Sequence, residues 1–321
     1  MKKILRIGTR DSQLAVWQAT LVKDQLQQQG VASELVYIKS EGDIDLATPL
    51  YELGVQGIFT QTLDAALLNN RVDIAVHSMK DVPTLLAKGI AQAAVLERAS
   101  YKDILVYKGD EKELFDALGF VNDEWNDGQW TIDNGPLSIA TSSIRRKAQW
   151  LHRYPNHTIE NLRGNVNTRL RKVAESNWNG AIFAAAGLER INVRPENSIE
   201  LDWMLPAPAQ GAIMVVCREE ETFSKEVCSI LNDDATALCT KIERDFLRAL
   251  LGGCATPISA LAEWKDGNIV FKGNILSVDG KEKIDIDLNT PLSQSENLGN
   301  KAAQQLLAKG ADKIVNAIRN A

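Results

Sequence analysis

Residues 73–83 read "DIAVHSMKDVP": an apolar run that stops at Lys80 and Asp81 and is closed by Pro83. The run reads as a strand, and a largely apolar strand belongs inside a sheet that is covered on both faces. Working outward, the covering pieces are legible on either side. Upstream, "ILRIG" (4–8) reads as a strand. Ser12 then caps a helix that carries Leu14, Trp17, Leu21 and Val22 on one face and closes at Gly30. "ELVYIKS" (34–40) is a second strand, the glycine-containing stretch 42–57 a loop, and "IFTQTLDAALLNN" (58–70) a helix leading into the decisive strand. Strands alternating with helices predict a mostly parallel sheet.

A second series follows. "DILVY" (103–107) is a strand, "LSIATSS" (137–143) leads into a helix over 144–154 stopped by Pro155, and "HTIENLRGN" (157–165) leads into a helix over 166–176. "AIFAAAG" (181–187) reads as a further strand. The polar, acidic stretch between Lys108 and Pro136, with Trp125 and Trp130, reads as a surface insertion holding one short helix. "PAPAQG" (206–211) interrupts the chain, and the apolar "AIMVVC" (212–217) is suited to return to the first sheet as an added strand. From Asp234 a helix with Leu238, Ile242, Phe246, Ala249 and Leu250 on one face ends at Gly252-Gly253. "SALAEW", "NIVFKGNILS" and "KIDIDL" then read as antiparallel strands around the turn "VDGK", and a last helix spans 296–319. The expectation is two α/β domains and a smaller α+β domain: 1–97 with 212–230, 98–211, and 231–321.

Composition limits the function. Of 321 residues 45% are apolar, enough to fill real cores, and the formal charge is 36 − 42 = −6. Such a field repels nucleic acid and anionic membrane, so neither is expected as a partner and any anion-binding role is local. No apolar stretch approaches a membrane span, and Arg6 and Arg10 break the opening "MKKILRIGTR" before a signal-peptide core can form, so the expected location is the cytoplasm. Cys217, Cys228, Cys239 and Cys254 fall 11, 11 and 15 residues apart, which matches neither a zinc site nor a redox pair, and His77, His152 and His157 add no metal constellation.

In open α/β sheets ligands lie beyond the carboxyl ends of the strands, where helix N-termini also point. Each such exit here carries a cation: Arg10 with Ser12, Lys80, Arg145 with Arg146, and Arg163 followed by Gly164, Asn165 and Arg169. A single arginine is ordinarily a solvated side chain or a surface ion pair. The cluster is harder to read so, because Arg145 and Arg146 oppose the dipole of their own helix unless an anion sits there. The prediction is a cleft between two α/β domains that binds a molecule with several carboxylates or phosphates. Asp81 reads either as an ion-pair partner of a neighbouring base or a cap, or as a carboxylate that stabilises positive charge arising in a reaction. Cys217 and Cys239 suit the usual fate of free cysteine, a buried small hydrophobe. Cys254, in "LGGCATP" (251–257), suits it less well: the two glycines remove cover and leave room for a covalent partner.

Taken in order, "IGTRDSQLAVWQ" (7–18), "DIAVHSMKDVP", "ATSSIRRKAQ" (140–149), "NLRGNVNTRL" (161–170), "AAAGLERI" (184–191), "PAPAQGAIMVVC" (206–217) and "LGGCATPI" (251–258) closely resemble the porphobilinogen deaminase, or hydroxymethylbilane synthase, family. The resemblance runs from about Leu5 to Pro257 and weakens beyond. It implies an α/β fold with two periplasmic-binding-protein-like, doubly wound domains plus a smaller α+β C-terminal domain. It also implies a transferase of tetrapyrrole and heme biosynthesis, monomeric, that joins four porphobilinogen molecules head to tail, loses ammonia each time and releases hydroxymethylbilane by hydrolysis. The primer would be a dipyrromethane cofactor held by Cys254 through a thioether. By the same resemblance Ser78, Lys80, Thr141, Ser143, Arg145 and Arg146 would hold cofactor carboxylates. Arg10, Ser12, Arg163, Gly164, Asn165, Arg169 and Arg190 would hold substrate or the growing chain. Asp81 would be the catalytic carboxylate, contacting pyrrole N–H groups and stabilising the azafulvene left as ammonia departs. One loop departs from the pattern: where many members carry lysines, this chain has Glu52 and Gln56 in "YELGVQG", so a cationic lid contact is missing. The rival readings are a non-enzymatic module that binds a carboxylated ligand, which gives Cys254 no task, and a paralogue impaired in elongation.

Overall fold

A computed structural model describes residues 4–39, 60–122, 124–126, 135–250 and 256–319. The chain opens with β1 (Leu5–Thr9), α1 (Gln13–Gln28), β2 (Ser33–Tyr37), α2 (Gln61–Leu68), β3 (Ile74–Ser78) and β4 (Ile90–Val95). It crosses to a second sheet with β5 (Asp103–Tyr107), α3 (Glu111–Leu118), β6 (Phe120–Val121), β7 (Glu124–Trp125), β8 (Ser138–Ala140), α4 (Ile144–Arg153) and β9 (Thr158–Glu160). There follow α5 (Val166–Glu175), β10 (Gly180–Ala184), α6 (Ala185–Glu189) and β11 (Ser198–Glu200). The chain then returns as β12 (Ile213–Arg218) and α7 (Thr222–Ser229).

The first sheet has the order β2-β1-β3-β12-β4. β1 runs parallel to β2 and β3, whereas the returning β12 lies antiparallel between β3 and β4, with Ile213 opposite Ser78. "AIMVVC" is thus the added strand its apolarity predicts. Alternate side chains enter separate cores: Ile74, Val76, Ile213 and Val215 on one face, Ala75, Met214 and Val216 on the other. The second sheet, β11-β5-β10-β8-β9, is also mixed, with β5 antiparallel to β10 and the parallel pairs β10·β8 and β8·β9 beside it. In each sheet, therefore, the strand entered directly from a crossing is an antiparallel one. The two crossings touch: Ala99 N–H donates to Gly211 O (3.1 Å), and a Cβ on Gly211 (φ +89°) would come within 2.5 Å of Ala99 O. Only glycine fits there.

The stretch after Lys108 is not merely a surface insertion. Asp110 caps α3 by accepting from Glu113 N–H (2.9 Å), and Gly119 ends it with φ 71°. The acids occupy the wet face, while Leu114 and Leu118, four apart, enter the core beside Leu105, Trp150 and Tyr154. Trp125, on a short hairpin, donates its indole N–H to Glu200 O (3.0 Å). Trp130 lies outside the described residues.

The third unit packs α8 (Asp234–Leu250) and α9 (Leu298–Leu306) against an antiparallel sheet of β13 (Ile258–Lys265), β14 (Asn268–Leu276) and β15 (Lys283–Pro291). Ile242, Phe246 and Leu250 meet Phe271 and Ile286 there. The expected helix over 296–319 is instead α9 and α10 (Asp312–Arg319), separated by a kink at Gly310, whose φ of 101° no regular helix accommodates. "AIFAAAG" also divides: its strand stops at Ala184 and α6 takes over. Among the described residues no helix is long and apolar enough to cross a membrane.

Candidate active site

The decisive strand β3 ends in a single 3-10 turn, Met79–Asp81. Proline disfavours helical backbone at the residue before it, and Val82 is extended (ψ 129°), so the turn cannot grow. Met79 is buried and anchors the turn from below, donating its N–H to Ala212 O (3.0 Å), while Val82 N–H closes it on Met79 O (3.1 Å). Lys80 and Asp81 are thereby presented at the carboxyl end of the sheet. Beside them Gln18 of α1 donates to Ser78 Oγ (2.9 Å). A cleft of about 460 Å³, counting its open mouth, is lined by Arg10, Ser12, Gln18, His77, Ser78 and Asp81 among others. The hydroxyl of Ser12 makes no capping bond to α1 although the residue stands at its N-cap. His77 is buried, and its Nε2 has no protein partner. Burial, aided by Arg10, lowers its pKa to about 4, so the ring is neutral.

The second sheet brings further charges that act on Lys80 and Asp81. Thr141 Oγ1 accepts from Ser143 N–H (3.2 Å), and Ser143 caps α4 by accepting from Arg146 N–H (3.4 Å). Arg145 and Arg146 follow, both buried, and the anion that their sequence position demands is supplied from within. Asp103, the first residue of β5 and fully buried, accepts from Arg145 Nη2 (2.6 Å) through Oδ2. Through Oδ1 it accepts from Arg146 Nη2 (2.7 Å) and Nε (3.1 Å). Burial alone would raise the pKa of Asp103, but the two guanidiniums outweigh it and hold it below the usual carboxylate range. Arg145 keeps a buried Nε–H with no protein acceptor.

Gln210, in the second crossing, joins the two groups. Its Nε2 donates to Asp103 Oδ1 (2.8 Å) and to Tyr101 O (2.8 Å), and its Oε1 accepts from Lys80 Nζ (3.2 Å). Lys80 is pushed down to about 8, first by burial and then by Arg146, with Asp81 and Asp103 offsetting only part. Arg169 comes down to about 10 by burial and by Arg146, and Asp81 partly restores it. Lys80, Asp81, Arg146 and Arg169 thus share one field. Cations outnumber the carboxylates facing them.

Several of the predicted binding residues also have structural tasks. Asn165 caps α5 by accepting from Thr168 N–H (2.9 Å), and Gly164 has φ +114° where a Cβ would come within 2.7 Å of Thr168. Arg169 Nε donates to Gly164 O (2.8 Å), and Arg163 is buried. Arg190 stands apart from the main cluster. Its Nη2 donates to Gly211 O (2.7 Å) and its guanidinium lies 5.7 Å from the Trp17 ring centre, so it ties α6 to α1. Cys254, Glu52 and Gln56 lie outside the described residues; α8 ends at Leu250 and β13 begins at Ile258 on either side of Cys254. The buried Cys217, Cys228 and Cys239 are unsuited to nucleophilic work: burial raises all three thiols, Cys228 to about 12 and Cys239 to about 11.

Sequence reading missed Asp103, Gln210 and the pair Arg98–Glu243. Arg98, in the first crossing, donates from Nη1 and Nη2 to the two carboxylate oxygens of Glu243 (2.6 and 3.1 Å) and from Nε to Gln210 O (2.8 Å). Glu243 also accepts from Ala209 N–H (2.6 Å) and Ala262 N–H (2.8 Å). The available signal was weak: an acid heading the apolar "DILVY", and a glutamine inside "PAPAQG".

Fold and site together define a protein of two α/β sheets whose strand ends gather cations around two carboxylates, Asp81 and Asp103. The chain belongs to the porphobilinogen deaminase family: residues 5–226 match "Porphobilinogen deaminase, dipyromethane cofactor binding domain" and residues 237–308 match "Porphobilinogen deaminase, C-terminal domain". It is 39% identical over 318 residues to the porphobilinogen deaminase of Syntrophotalea carbinolica, covering 98% of this chain and 96% of that one. It is 36% identical to those of Chlorobium phaeobacteroides (99% of each chain) and Acidithiobacillus ferrooxidans (100% of each). Among solved structures, an ancestral cationic amino acid solute binding protein aligns at 14% identity and a TM-score of 0.43, over 71% of this chain and 87% of that one.

Proposed function

We infer that this chain joins porphobilinogen units into hydroxymethylbilane in the cleft between its first two sheets. The observation that carries the reading is the uncompensated positive charge there. Lys80 is pushed down to about 8 and Arg169 to about 10, in each case first by burial and then by Arg146, and Arg145 has a buried N–H without an acceptor, all around a single catalytic candidate, Asp81. An acidic ligand relieves each of these at once.

The same donors suit a dipyrromethane, whose acetate and propionate arms need several cationic or hydroxyl partners. Lys80, Ser78, Thr141, Ser143, Arg145 and Arg146 would hold those arms, and Cys254 would anchor the group by a thioether. When bound, it supplies the pyrrole end onto which the first substrate unit is joined. Arg10 and Ser12, which line the cleft beside Asp81, take the carboxylates of incoming porphobilinogen, and Arg163, Gly164, Asn165, Arg169 and Arg190 take those of the lengthening chain. Asp81 accepts the substrate pyrrole N–H. Its charge opposes the positive charge that spreads over that ring as the bond from the aminomethyl carbon to nitrogen breaks and ammonia leaves. The carbon–carbon bond then formed releases one proton, which Asp81 is placed to receive. His77, neutral and beside Asp81, adds no positive charge to compete with the reacting ring.

The division into domains 1–97 with 212–230, 98–211 and 231–321 belongs to this reading and is supported by the three larger sheets, one in each range, with their own hydrophobic clusters. So do a monomeric state and a cytoplasmic location. The test is the intact mass of the freshly purified protein. An excess of two linked pyrrole units, found on the peptide that contains Cys254, is expected. A fully active protein at its bare sequence mass would refute the reading.

A further inference from the structure

Two successive residues of α8 send their charges out of the third unit in different directions. Glu243 grips the crossings, as described. Arg244, nearly buried at 9% exposure, reaches the turn at the end of β3 instead. Its Nη1 donates to Val82 O (2.9 Å) and, at longer range, to Met79 O (3.4 Å), and its Nη2 donates to Pro83 O (2.7 Å). The carbonyls it holds therefore lie on both sides of Lys80 and Asp81.

A 3-10 turn of three residues has little internal hydrogen bonding to fix it. The bond from Val82 N–H to Met79 O closes this one, and Pro83 has no N–H to add another. Where Asp81 points is consequently set by what grips the turn from outside. A planar guanidinium can hold the neighbouring carbonyls of Val82 and Pro83 in fixed geometry, which a single ammonium cannot reproduce. The helix that carries Arg244 ends at Leu250, four residues ahead of Cys254 in the sequence.

We propose that Arg244 is a positioning residue: from the third unit it fixes the backbone turn that carries Asp81, and so sets the acid relative to the helix that leads to Cys254. The proposal rests on the roles inferred above for Asp81 and Cys254. Loss of the clamp lets Asp81 drift while leaving Arg10 and Arg145 in place, so turnover suffers more than substrate binding.

Arg244→Met and Arg244→Lys, with Ile242→Val in the core of the third unit as a control for lost stability, would be purified with cofactor attached. Hydrogen–deuterium exchange of the peptide spanning 79–83 is followed, together with initial rates against porphobilinogen concentration. In Arg244→Met, exchange at Lys80–Val82 should accelerate about tenfold or more. The value of kcat should fall about 10- to 100-fold with KM within about threefold, the range expected when a reacting group is misplaced by up to about 1 Å. Arg244→Lys should recover part of both effects, and Ile242→Val should lower the melting temperature while changing neither. Unchanged exchange at 79–83 in Arg244→Met, or a loss of kcat no larger than in the control, overturns the proposal. If exchange rises as expected but Asp81→Ala keeps near-native turnover, the clamp is real and it is the role of Asp81 that fails.

Discussion

Replacing Asp103 by asparagine tests the charge balance of the site directly. The side chain keeps its shape and one carbonyl acceptor but loses the charge shared by two arginine side chains that are only 5% and 7% exposed. Breaking a buried ion pair by removing one partner costs about 3–5 kcal/mol, because the remaining charges stay buried and uncompensated. At roughly 2–4 °C per kcal/mol for a cooperative unit of this size, the melting temperature should fall by roughly 6–20 °C. Calorimetry on cofactor-free protein at pH 7 measures this. Protein loaded with dipyrromethane should lose less, since a ligand carboxylate can take over part of the neutralisation. The pH dependence gives a second handle. The folded pKa of Asp103 lies below its unfolded value of about 3.9. Its contribution is therefore fully present above that value and is lost as pH falls through the folded pKa. Wild type should shed this part of its stability in acid, and Asp103→Asn should have none to shed. A variant within about 1 kcal/mol of wild type, loaded and unloaded alike, would refute the reasoning.

Lys80 makes the opposite kind of prediction. With its folded pKa near 8 and an unfolded value near 10.4, the unfolded state binds more protons between those limits, so cofactor-free protein should gain stability from pH 8 to 10, and Lys80→Met should abolish the gain. Loading an acidic ligand at pH 8.5 should be accompanied by proton uptake, visible in calorimetry as a dependence on the buffer's ionisation heat; no uptake would remove Lys80 from the ligand's surroundings. Asp81→Ala should keep the fold and most cofactor attachment yet lose nearly all bilane formation in a chromatographic product assay. Leu118→Ala, in the stretch that looks like a surface insertion, should cost about 2–5 kcal/mol in denaturant unfolding, as for any large-to-small core change; a cost below 1 kcal/mol would return that segment to the surface.

The strands were legible because their signal is local. The largely apolar runs at 73–79, 103–107 and 212–217 each stand out from their surroundings, and Pro83, Gly109 and Gly211 lie near one end of each. Charge was harder to read. The arginines at 145 and 146 were visible as a conflict with their helix dipole, but the acid that resolves the conflict lies 42 and 43 residues away, a pairing that only tertiary structure makes. Gln210 has no periodic signature, since its value lies in touching Lys80 and Asp103 at once. The acidic stretch after Lys108 misled for a related reason: composition counts the charges of α3, whereas burial follows the spacing of Leu114 and Leu118. At Gly310 the apolar pattern continues through a residue whose backbone does not.

The place of β12 has a consequence for synthesis on the ribosome. When residue 95 has emerged, β3 has an open edge and β4, which pairs in the sheet with β12 alone, has no partner until residues 213–218 follow, after the whole second sheet has been made. Until then the nascent chain carries two unzipped strand edges, the sort of surface that invites mispairing with a neighbour on the same message. The second sheet, whose strands are contiguous in the chain, is free to form first and to hold the two ends of that gap together.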